Sequence, residues 1–130
     1  MDVQTHENVL TALHGEAFAH ARYLLFAAAA RKRGDDRLAS MFEGIAAVEL
    51  QEHFLELAEL GGLVGTDADN IRTAIQDENL EVEWTYPKFA DRARAAGELA
   101  VAERFAEMAE DEREHEKTLE QALERAEVPA

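Results

Sequence analysis

The amino-acid sequence predicts an all-α protein, a four-helix bundle built from a duplicated helical hairpin. Three observations predict it. The 130 residues include only two Pro and seven Gly, and Ala, Leu, Glu and Arg, all good helix formers, dominate the rest. Apolar residues recur at helical spacing through four segments, separated by Gly and Asp breaks. The second half also repeats the first. A chain of this length is one domain, residues 1–130, long enough to bury a core and too short for two.

The first helix is placed at about 7–33, with Val9, Leu10, Leu13, Ala17, Leu24 and Ala28 as its inward stripe. Gly34 and the pair Asp35-Asp36 end it and begin the second helix, about 36–60. Gly61-Gly62 close that helix, Gly62 in the left-handed cap position. Thr66 or Asp67 serves as N-cap of the third helix, about 67–96. Gly97 separates it from the fourth, about 98–126. Trp84 and the phenylalanines are assigned to core filling.

Laying Gly34 over Gly97 shows the repeat. Tyr23 meets Tyr86, Phe26 meets Phe89, Phe42 meets Phe105, Ala46 meets Ala109 and Glu49 meets Glu112. Glu16 meets Glu78 once the third helix is allowed one extra residue, a wide π-turn between Glu78 and Tyr86. Two such hairpins related by a pseudo-twofold axis make a four-helix bundle with a near-symmetric centre.

The formal net charge of −15 argues against nucleic acid or anionic membrane as partners, since both reward positive surface. No cysteine is present, so disulfides, thiolate zinc sites and thiol chemistry are excluded. Any transition metal must use carboxylate and imidazole, the preference of iron or manganese, with zinc a competitor. The start of the chain lacks a basic-then-apolar signal and no apolar run approaches about 18 residues, so a soluble, cytoplasmic protein is expected.

Seven residues carry the chemistry: Glu16, Glu49, His53, Glu78, Glu81, Glu112 and His115. They fall on all four helices within otherwise apolar faces. Glu112 and His115 are three apart and share a face. On the second helix Glu49 and His53 are four apart, and strict repeat register would set Glu52 rather than His53 opposite His115. The residues that follow decide between them. Leu57 and Leu60 lie four and seven after His53, like Leu119 and Ala122 after His115, whereas Glu52 would bring Glu56 and Glu59 into the core. His53 is therefore the ligand candidate, with a π-turn absorbing the extra residue. His20, four after Glu16, has no ligand counterpart in the repeat and is left on the surface. Tyr23 and Tyr86 follow Glu16 and Glu78 by two turns; their hydroxyls either bond ligating carboxylates or belong to ordinary core tyrosines.

Five converging carboxylates could not all ionise without compensation. Two divalent ions supply +4, and two trivalent ions +6, against −5, whereas one ion would strand two or three carboxylates. Two metal ions are expected.

The runs His14–Tyr23, Asp77–Pro87 and Glu112–Lys117 resemble the rubrerythrins, ferritin-like di-iron proteins that reduce hydrogen peroxide. The likeness extends over about residues 7–126. It implies a ferritin-like bundle with a di-iron centre held by Glu16, Glu49, Glu78, Glu81, Glu112 and His115. It also implies that His53 and Glu81 exchange as ligands of one iron when the redox state changes, which would make them the catalytic pair. This chain departs from the family in two respects. The usual Glu-x-x-His of the second helix is Glu-x-x-x-His here. The four cysteines of a rubredoxin domain are missing, as in the shorter, rubredoxin-free members, so electrons must come from a separate rubredoxin-like protein or other reductase. The expected reactants are hydrogen peroxide or dioxygen; the alternative is a ferritin-like ferroxidase or iron-binding module without peroxidase turnover.

The connection between the second and third helices is short. In a ferritin-like bundle these helices run parallel, and about six residues span only roughly 20 Å. A homodimer is expected, and a domain-swapped one would relieve the short connection.

Overall fold

The computed structural model describes residues 1–127, and those residues contain four helices and no strand. Helix α1 is Val3–Lys32. Helix α2 runs as Asp36–Val48, passes through a π-helical turn at Glu49–Phe54 and finishes as Leu55–Leu60. Helix α3 runs as Asp67–Leu80, through a second π-turn at Glu81–Thr85, to Tyr86–Ala95. Helix α4 is Leu99–Glu127. The sequence-based boundaries hold to within a residue or two except at the start. There α1 begins four residues earlier than expected, because the Asp2 carboxylate caps it by accepting from the Thr5 N–H at 2.7 Å.

The helices form two compact hairpins, α1–α2 within Met1–Val64 and α3–α4 from Gly65 onward. In each, one turn closes the pair: Gly34 at φ +84° and Gly97 at φ +79° occupy the left-handed region that the tight reversal requires. The second helix of each hairpin then starts at once, α2 from an Asp35 carboxylate that accepts from the Leu38 N–H at 3.0 Å. Thr66, one of the two expected caps, starts α3 by accepting from the Asp69 N–H at 3.2 Å.

Small residues line the seam of each hairpin. Ala27, Ala30, Ala39, Ala46 and Ala58 are buried in the first and Ala90, Ala102 and Ala109 in the second, with Leu13 and Val82. This corrects the expected stripe on α1. Leu13 is buried and Val9, Leu10 and Ala17 are half-buried, but Ala28 is exposed and Leu24 is 43% exposed. The seam instead follows Ala27 and Ala30, because a methyl lets the facing backbone approach where an isobutyl would hold it off. Trp84, assigned to core filling, is 71% exposed, and Phe18 is 60% exposed.

The repeat reappears in three dimensions. Tyr23 stacks on Phe42 with centroids 6.0 Å apart, and Tyr86 stacks on Phe105 at 6.0 Å. Phe26 meets Phe42 at 5.4 Å and Phe89 meets Phe105 at 5.5 Å. Both wide turns lie where the residue count requires them, the first spanning Glu49 to His53 and the second between Glu78 and Tyr86. No described helix is long and apolar enough to cross a membrane.

Candidate metal centre

Each hairpin gathers two carboxylates and one imidazole. In the first, Glu16 comes from α1 and Glu49 and His53 from α2; in the second, Glu78 comes from α3 and Glu112 and His115 from α4. One ligand atom from each member lies within 4.8 Å of the other two in both triads. Six of the seven expected residues are thus brought into two like groups. Glu52 is exposed and takes no part.

The π-turn of α2 begins at Glu49 and includes His53. His53 Nδ1 lies 3.3 Å from Glu16 Oε2 and 3.7 Å from Glu49 Oε2. In the second hairpin His115 Nδ1 lies 2.8 Å from Glu112 Oε2 and 3.7 Å from Glu78 Oε1. The carboxylates are half-buried while both histidines stand at the more exposed margin.

The opposed shifts of neighbouring acids show how crowded the charge is. A hydrogen bond between Glu16 and Glu49 lowers the first and raises the second, with His53 adding to the depression of Glu16. Glu78 is pushed up to about 7 by burial first, then by its bond to Glu112 and the nearby negative charge. Glu112 is held low by that same bond and by His115. Both histidines are raised, His53 chiefly by its bond to Glu16 and His115 by its bond to Glu112.

The donor set fits a divalent metal ion. Glu78 Oε2 is buried and has no hydrogen-bond partner, and a buried carboxylate oxygen without a partner is costly unless something positive meets it. Carboxylate oxygen with imidazole nitrogen suits iron or manganese, and admits zinc.

Glu81 stands outside both triads. It is half-buried at the start of the α3 π-turn, and burial, then Glu112 and Asp77, push its carboxyl up. Tyr86 is raised by burial and by Glu81, Glu112 and Glu78, which places its hydroxyl in the field of the second triad. His20 differs from its expected surface position. It is half-buried, and its Nδ1 meets the Ala46 carbonyl oxygen at 2.8 Å. The one sequence signal for this was its place four residues after Glu16, on the same face of α1.

The rubrerythrin family model matches residues 69–128. The chain is 36% identical to the rubrerythrin of Porphyromonas gingivalis over 129 residues, covering 88% of this chain and 63% of that protein. It is 33% identical to the rubrerythrin of Nitratidesulfovibrio vulgaris over 127 residues, covering 88% and 66%. It is also 33% identical to rubrerythrin-1 of Clostridium acetobutylicum over 132 residues, covering 88% and 67%. The chain therefore spans about two thirds of the length of these curated relatives. Helical hairpins, paired carboxylate–histidine triads and similarity over most of the chain agree: this protein belongs to the rubrerythrin family.

Proposed function

We propose that the chain is a di-iron peroxidase that reduces hydrogen peroxide to water with electrons from a separate donor. Family membership implies a di-iron protein of the oxidoreductase type. In this reading Glu16, Glu49 and His53 hold one iron, and Glu78, Glu112 and His115 the other. The observation that carries it is Glu81, a carboxylate beside the second triad and held above its ordinary range, which is one oxygen donor more than the two triads use.

The chemistry that bound iron supplies is the electron pair that splits the O–O bond. The overall change consumes one peroxide, two electrons and two protons and yields two waters. The chain's own groups manage the charge. Glu78, raised by burial and then by its neighbours, and Glu49, raised first by Glu16, give up protons as cations replace them. In this reading Glu81 and His53 are the catalytic pair, exchanging as ligands of one iron as the family likeness implies. The Tyr23 and Tyr86 rings pack on Phe42 and Phe105, and this reading gives their hydroxyls the role of orienting the ligating carboxylates.

In this reading the protein is a homodimer, and exchange of hairpins between the two copies is the form that relieves the short connection. About 16 Å of helix separates Glu49 from Leu60, and about 16 Å separates Asp67 from Glu78. If α2 and α3 ran parallel with both glutamates at one level, as the family likeness implies for a ferritin-like bundle, the connection would have to cover about 33 Å. The stretch from Leu60 to Asp67 reaches at most about 25 Å. The α1–α2 hairpin of one copy paired with the α3–α4 hairpin of the other removes the conflict.

Anaerobically reduced, iron-loaded protein should be reoxidised rapidly by hydrogen peroxide and more slowly by dioxygen, followed by stopped-flow absorbance. Sluggish reaction with peroxide alongside brisk reaction with dioxygen would favour a ferroxidase role and defeat this assignment.

A further inference from the structure

We propose that His20 is a positioning residue for the triad of the first hairpin. By donating from Nδ1 to the Ala46 carbonyl, it fixes the point where α2 passes into its π-turn, and so sets Glu49 and His53 level with Glu16. The proposal rests on the reading of that triad as a metal site.

A carbonyl oxygen only accepts, so the 2.8 Å contact requires the His20 proton on Nδ1. His20 lies one turn beyond Glu16 on α1, and Ala46 lies one turn before Glu49 on α2. The Ala46 carbonyl also accepts the backbone N–H of Glu49 itself. A single oxygen therefore joins the His20 ring to the main chain of a ligand. It does so where the regular ladder loosens, for Glu49 is the first residue of the π-turn. A carbonyl at such a slip is steadied by a second donor from a neighbouring helix.

The second hairpin provides a comparison within the molecule. Glu16 laid over Glu78 puts His20 over Val82, and Ala46 corresponds to Ala109. Val82 is 2% exposed, an apolar residue filling the seam. The second helix of that hairpin, α4, is α-helical from Leu99 to Glu127. The imidazole donor thus accompanies a π-turn in the facing helix, and an apolar side chain accompanies a straight one.

The test is Co(II) titration of the full chain, read by its visible spectrum, for wild type, His20→Asn and His20→Leu. Asn carries an N–H close to the place of Nδ1, and Leu has nearly the same shape without a donor. Wild type is expected to take two Co(II) per chain. His20→Leu should keep one at wild-type affinity and bind the other about tenfold more weakly, the usual effect of losing a group that supports a metal ligand. His20→Asn should hold both within about threefold of wild type. Unchanged binding in folded His20→Leu, equal weakening of both ions, or equal weakening in the two variants would each overturn the assignment. If His20→Leu does not fold, ¹⁵N NMR of the wild-type ring decides, since a neutral tautomer with its proton on Nε2 would defeat the proposal and one with it on Nδ1 would uphold it. Wild type that takes up no Co(II) defeats the metal-site reading itself, a failure distinct from the loss of His20's role.

Discussion

His53 and Glu16 meet at 3.3 Å from opposite helices of one hairpin, thirty-seven residues apart in the chain. Glu49 lies beside them, its Oε2 3.7 Å from His53 Nδ1, as Glu78, Glu112 and His115 are gathered in the second hairpin. Each group sets two carboxylates beside an imidazole, and several consequences can be measured.

The metal-free chain should be more stable in mild acid than in mild base. Glu78, Glu81, Glu49 and both histidines have folded-state values above their ordinary ones. Groups raised on folding contribute stability that is present below the unfolded value and is lost as pH rises through the folded one. For Glu78 the loss runs from the ordinary glutamate range up to about 7. Glu16 and Glu112, lowered instead, oppose this only below the ordinary range. Thermal melts in chelator should therefore give a higher Tm near about pH 5.5 than near about pH 8, and divalent metal should reduce or reverse the difference. A Tm in chelator that rises steadily with pH would contradict it.

Glu81→Ala should slow reoxidation by peroxide more than it lowers metal content, because Glu81 is outside both triads. Metal analysis beside stopped-flow kinetics separates the two effects. Loss of metal with unchanged rate per bound iron would make Glu81 structural.

His53→Ala should lose about one metal equivalent per chain, whereas Glu52→Ala should bind like wild type, since Glu52 is exposed and outside the triad. Equal losses would mean that the π-turn does not select His53 in solution.

Ala30→Leu should destabilise the first hairpin by about 1–3 kcal/mol through overpacking. Ala30 is fully buried against Ala27 and Ala39, with Leu38 and Phe42 packed around them. Denaturant unfolding of the metal-free chain checks this.

About ten flexible residues inserted between Gly62 and Leu63 should let a monomer appear beside the dimer, because the longer connection could then make the crossing within one copy. Light scattering after size exclusion reads the outcome. A wild-type chain that is already monomeric would remove the argument for exchange.

Much of this was legible in the chain. The four helices followed from Gly34, Gly62 and Gly97 and from the apolar period. The wide turns followed from counting, since the repeat closes only if one residue is absorbed between Glu49 and His53 and another between Glu78 and Tyr86. The packing seam was less legible. Leu24 outranks Ala27 on any scale of hydrophobicity, yet closeness of approach selects Ala27, and closeness is a property of two helices together. His20 was hidden for a similar reason: its partner is a main-chain carbonyl twenty-six residues away, and no side-chain pattern marks a carbonyl.

The two wide turns sit in different helices of hairpins that otherwise repeat. An added residue in a regular helix would swing everything after it by about 100° and turn its buried face outward. A wide turn takes up the addition where it occurs, and the faces on either side keep their aim. Each hairpin can therefore hold an extra residue beside its glutamates without rebuilding its seam. One hairpin carries it in its second helix, by His53, and the other in its first, between Glu78 and Tyr86. Two repeating halves are thus made chemically unequal by one residue each, at the places the wide turns mark.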